Sequence, residues 1–169
     1  MPLGLSGTSG VLDNSGAFIA GTAVASTSGT SIDFTSIPSW VKRVTVNLGG
    51  VSTNGSSNLL FQIGSGSVQT TGYLGSGTYQ STTVTFATFT TGVGVRNAIG
   101  ATAVFHGSLV FVNLTGNTWV GSATFADTSG ATNTSAGSVT LSGALDRVRI
   151  TTVNGTDAFD AGTINILYE

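Results

Sequence analysis

The chain has 169 residues, enough for one domain, and only 7% of them are Asp, Glu, Lys or Arg, against about 25% in ordinary globular domains. A net charge of −2 leaves no strong field to draw in nucleic acid or an acidic membrane, and the lack of cysteine excludes disulfides and thiolate metal sites. With 40% hydrophobic residues the chain is not of disordered type, so solvation falls to 28 Thr, 21 Ser and 25 Gly, together 74 of 169 residues.

Residues 1–16 are rich in Gly and Ser and show no period-two pattern. They predict an N-terminal arm that orders against a neighbouring subunit, with Leu3, Leu5, Val11 and Leu12 as its anchors. Met1 to Asp13 has neither a basic region nor an apolar run, so no signal peptide is expected there. From residue 17 onward a single domain is expected. In the segment Trp40 to Leu48, alternation places Trp40, Val44, Val46 and Leu48 on one face and Val41, Arg43, Thr45 and Asn47 on the other. Leu59, Phe61 and Ile63 repeat the pattern after the turn dipeptide Asn54-Gly55.

The stretch 71–80 reads as a Gly-rich loop, and Tyr73 and Tyr79 within it are candidates for surface recognition. A strand over 82–90 offers Val84 and Phe86 to a core. Ala101 to Val112 is apolar on both faces, as a central strand or subunit interface is, with Val104, His106 and Val110 as candidate interface residues. Trp119, Ala123 and Phe125 line one face of the next strand. Asp127 to Ser138 reads as a loop by composition. Val139 and Leu141 follow, then Val148 and Ile150, and Ile164, Ile166 and Tyr168 close the chain.

Helix formers are nearly absent, with one Glu and one Lys in the whole chain. Roughly eight to ten short, alternating strands predict an all-β fold, an antiparallel β-sandwich of jelly-roll type. Trp40, Val44, Val46, Phe61, Phe86, Trp119, Phe125, Val148, Ile150 and Ile166 are its expected core.

Motifs for chemistry are sparse. The single histidine, His106, sits in the most apolar strand beside Phe105 and Gly107, which favours a structural role over metal or acid–base work. No Gly-x-Ser-x-Gly elbow and no phosphate loop occurs. Asp157 and Asp160 beside Asn154 supply hard oxygen ligands, but their spacing suits turn formation better than a calcium loop. Lys42, Arg43, Arg96, Arg147 and Arg149 are too few for a nucleic-acid footprint. No catalytic constellation, cofactor or membrane span is expected, so an enzyme is not the expected reading.

The stretch Gly29 to Val46, with Gly50 to Gly55 and Leu59 to Gly64, resembles a module of tailed-bacteriophage tail-fibre and virion structural proteins. Arg147 to Thr152 and Phe159 to Glu169 are similar to the same module, and together these blocks cover under half of the chain. The resemblance implies a structural role at the virion surface and a homotrimer, with no catalytic residues to carry over. No coiled coil or repeat accompanies the module to form a shaft. The expectation is therefore a capsid decoration, or cement, protein on the phage head, assembled in the host cytoplasm and bound to the major capsid protein or other virion proteins. The alternative is a tail-fibre tip that recognises a host receptor, glycan or protein.

Overall fold

The computed structural model describes residues 18–169. Fourteen strands follow in chain order: β1 (Ile19–Ala20), β2 (Val24–Ala25), β3 (Ile32–Thr35), β4 (Arg43–Thr53), β5 (Leu59–Ser65), β6 (Ser67–Val68) and β7 (Leu74–Gln80). They continue as β8 (Val84–Phe89), β9 (Val93–Val95), β10 (Phe105–Thr115), β11 (Thr118–Asp127), β12 (Thr132–Thr140), β13 (Arg147–Thr152) and β14 (Phe159–Tyr168). The one helical element among the described residues is a 3-10 turn, Gly100–Thr102.

The strands form two antiparallel sheets packed face to face. The large sheet runs β1-β14-β4-β10-β11-β12-β7-β8, with β2 also on β14. The small sheet runs β3-β13-β5-β6, with β9 also on β5. This is a β-sandwich, as the alternation predicts. Its nine and five strands, with β10, β11 and β12 as successive neighbours, do not show the eight-strand double Greek key of a jelly roll.

Period-two alternation builds the core directly. In β11 the burial alternates residue by residue, with Trp119, Ala123 and Phe125 inward. Val44, Val46 and Leu48 of β4 do the same, and Val148 and Ile150 of β13 face them from the small sheet. The Phe61 and Phe125 rings stack across the two layers, centroids 5.6 Å apart at 14°. The segments 29–64 and 147–169 are neighbours in space. β14 pairs with β4, and β13 lies between β3 and β5, so two distant sequence blocks make one two-layered frame. The middle of the chain extends the large sheet beyond that frame.

Five sequence expectations are corrected. Phe86, expected in the core, is 76% exposed, because β8 turns Thr85, Ala87 and Phe89 inward instead. Tyr73 and Tyr79, expected at the surface, are buried. Tyr73 is pinned through its hydroxyl, which accepts from the Ile63 N–H at 2.9 Å, and the Tyr79 hydroxyl meets Ser129 Oγ at 2.9 Å. The loop expected over 127–138 is largely strand β12, and the loop over 71–80 is largely strand β7. Trp40 precedes β4 and is half-buried, its ring 6.1 Å from that of Tyr168.

The reason those two segments escape recognition is close packing. β9, paired with β5 in the small sheet, packs across β11, β12 and β7, where bulky residues would hold it off. Val93 sits over Gly121 and Gly137, and the Gly94 carbonyl lies 3.0 Å from where Gly77 would carry a Cβ. Small residues in β7 and β12 are thus a packing requirement rather than a loop signal. A Cβ on Gly94 itself would overlap the buried Phe89 ring. Gly94→Ala is expected to cost about 1–3 kcal/mol through overpacking, read as a lowered midpoint in urea unfolding. An unchanged midpoint would show that Phe89 moves aside freely.

Candidate functional site

Among the described residues no layer lies over the outer face of the large sheet. Alternation that turns Trp119, Phe125 and Leu109 inward sends Val120, Ser122, Thr124 and Val110 outward. Register carries this across the sheet. Val112 pairs with Val120, Val120 with Ser138, and Ser138 with Leu74, so these four line one outward row. A second row runs Ser108, Thr124, Thr134, Thr78 and Phe86. Gln80 and Val84 close the far corner.

The relief of this face has three parts. Val112 and Val120, 40% and 37% exposed, form one apolar ridge. Val84 and Phe86, 67% and 76% exposed, form a second ridge on the edge strand β8, and Leu74, 76% exposed, stands on β7 at the end of the Val112 row. Between them the small side chains of Ser76, Thr78, Thr134 and Ala136 leave a shallow trough of about 260 Å³. The trough floor is rigid: the Thr78 and Thr134 hydroxyls bond across the strands at 2.8 Å, and Thr118 and Thr140 bond likewise at 3.0 Å.

Electrostatically the face is blank. No Asp, Glu, Lys or Arg side chain points outward from β10, β11, β12, β7 or β8, and the one carboxylate in these strands, Asp127, is buried. The flanking charges, Arg43 and Glu169, neutralise each other at 3.0 Å. Such a face can bury apolar area against a matching surface.

His106 and Val110, both expected at an interface, lie on this face, His106 exposed and Val110 half-buried. Val104 does not join them, since it precedes β10 and is half-buried. His106 has a structural job as well, as its Nδ1 accepts the Gly50 N–H at 3.1 Å, where the register of β10 on β4 shifts. Leu3, Leu5, Val11 and Leu12 fall outside the described residues. Sequence reasoning missed Leu74, Val84, Phe86 and Val120. The available signal was that their strands lack charge on both faces, so polarity could not mark the outer one.

The acidic residues near the C-terminus organise loops. Asp157 Oδ2 accepts the Ser57 N–H at 2.8 Å, and its Oδ1 accepts from Asn154 Nδ2 at 2.5 Å. Asp160 is bonded to the Ser52 hydroxyl. Among the described residues no group of three or more His, Asp or Glu is placed to hold a metal ion, and no helix is long and apolar enough to cross a membrane. In comparisons with known proteins, no family model, no curated protein and no solved structure matches the chain.

Proposed function

We propose that the chain is a non-enzymatic structural protein of a tailed-bacteriophage virion, a homotrimeric decoration protein that reinforces the head through interface burial. The observation that carries the reading is the uncharged, two-ridged outer face of the large sheet. Exposed apolar side chains gathered on one face of a sheet favour a covering partner. Without charge, a second copy meets no like-charge repulsion on approach. The relief suits a ring: a ridge of one copy can enter the trough of the next, a head-to-tail contact that closes under three-fold symmetry. The phage-module resemblance supplies the setting, and the blocks that carry it form the frame on which the open face is mounted.

Light scattering on the purified protein at micromolar concentration is expected to give three times the 16.9 kDa chain mass. Val120→Lys and Phe86→Lys each place a charge on a ridge and are expected to yield monomers with unchanged circular dichroism, since exposed positions tolerate substitution within about 0.5 kcal/mol. A wild-type monomer, or trimers indifferent to both substitutions, would remove the open face from assembly. Quantitative staining of purified virions then distinguishes the settings: hundreds of copies per particle fit decoration of a lattice, and tens fit a tail fibre.

A further inference from the structure

The opposite side of the sandwich carries a feature that self-association does not use. The outer face of the small sheet holds a cleft of about 330 Å³. It is built by alternation again. Phe61 and Ile63 of β5 and Val148 and Ile150 of β13 point to the core, so Leu60, Gln62, Arg149 and Thr151 point outward into the cleft. These outward residues are not on an open surface. Leu60 is 2% and Gln62 5% exposed, because the segment around Thr91 folds over β5.

From these residues we infer that the cleft binds a neutral saccharide residue. Three properties point to that class. First, the cleft is charge-balanced: Arg149 donates through Nε and Nη2 to the two oxygens of Asp33, both at 2.7 Å, so its charge is met within the protein. An anionic ligand would have to compete with Asp33. Second, the remaining polar groups are ambivalent. Ser31, Thr70 and Thr91 line the cleft, their hydroxyls make no hydrogen bond among the described residues, and each can donate and accept as sugar hydroxyls do. Third, the orienting group is fixed before any ligand arrives. Gln62 Nε2 donates to the Thr91 carbonyl at 2.8 Å, which sets the amide plane and leaves Oε1 as an acceptor with no donor among the described residues. A pre-oriented acceptor of this kind favours a ligand that brings its own hydroxyl. Val153, 49% exposed, lines the cleft as well and offers an apolar contact to the C–H face of a pyranose ring. The volume suits one sugar ring, which agrees with recognition of a terminal or branch residue rather than a long chain.

The cleft and the open face of the large sheet lie on opposite sides of the sandwich, so burying the latter on assembly leaves the former accessible. The test is saturation-transfer NMR on the intact wild-type protein with galactose, glucose, N-acetylglucosamine and, as the charged comparator, N-acetylneuraminic acid. At least one neutral sugar is expected to show saturable transfer with a dissociation constant of about millimolar order. Val153→Trp, a change at an exposed position, adds bulk to the cleft lining and is expected to weaken that binding about tenfold or more, as is Gln62→Leu, which removes the acceptor. Val153→Trp keeps the test valid if Gln62→Leu disturbs the fold. No saturable transfer from any neutral sugar would overturn the inference. So would binding that survives Val153→Trp. Preferential binding of N-acetylneuraminic acid would overturn the neutral class and assign the cleft to an anion held by Arg149.

Discussion

Phe125→Ala is expected to remove about 3–5 kcal/mol of folding stability. The Phe125 side chain is 1% exposed and belongs to the large sheet, while its stacking partner Phe61, 0% exposed, belongs to the small one. Truncation therefore loses the transfer energy of a full aromatic ring. It also leaves a cavity between two sheets whose backbones are held apart by their own ladders and cannot collapse into it. The stacked geometry adds a pairwise term of about 0.5–1.5 kcal/mol beyond area burial. Urea unfolding of Phe61→Ala, Phe125→Ala and the double variant isolates that term, and the double variant is expected to lose less than the sum of the singles. Phe86→Ala in a monomeric background should change stability by no more than about 0.5 kcal/mol, because its ring is already in solvent. A loss below about 1 kcal/mol for Phe125→Ala would place the contact between the sheets elsewhere.

A steep loss of stability is expected in alkali, centred on Tyr73. Burial pushes the Tyr73 hydroxyl up to about 12, and the Ile63 N–H that it accepts offsets part of the shift. In the unfolded chain the same group ionises near its ordinary value of 10.0. Below that value both states hold the proton, and the contribution of Tyr73 is fully present. Between the two values the unfolded state loses its proton while the folded state keeps it, so unfolding becomes progressively easier. At about 1.36 kcal/mol per pH unit, the loss from this group reaches roughly 3 kcal/mol by about pH 12 and then levels off. Tyr73→Phe is expected to abolish this part of the slope. It is also expected to cost about 1–3 kcal/mol at neutral pH, because the Ile63 N–H loses its acceptor. Subtracting the variant's curve from that of the wild type isolates the part of the slope that belongs to Tyr73. Parallel curves from about pH 9 to pH 12 would show that Tyr73 ionises as freely folded as unfolded.

Strand content, the sandwich class and much of the core were determined by the sequence alone. Trp119 to Phe125, Val44 to Leu48 and Val148 to Ile150 alternate large apolar with small or polar residues, and one face of each is buried, so period two names the inward face. The same rule fails where both faces are uncharged. In β8, Val84 and Phe86 are as hydrophobic as Phe89, and alternation shows only that they share a face. Pairing decides which face it is: Phe86 sits opposite Thr78, on the side that the small sheet does not cover. Composition fails in β7 and β12 for a different reason. Their Gly, Ser and Thr residues resemble loop chemistry, but the crossing of β9 demands small residues at Gly77 and Gly137, and that crossing is a contact between segments far apart in sequence. Tyr73 and Tyr79 read as loop aromatics, but β7 turns Tyr79 into the interior and Tyr73, just before that strand, is buried with it. The cleft on the small sheet was equally hidden, since it depends on the Thr91 segment folding over Leu60 and Gln62. Local pattern specifies which residues share a side of a strand. Which side is buried depends on the layer that arrives from elsewhere in the chain.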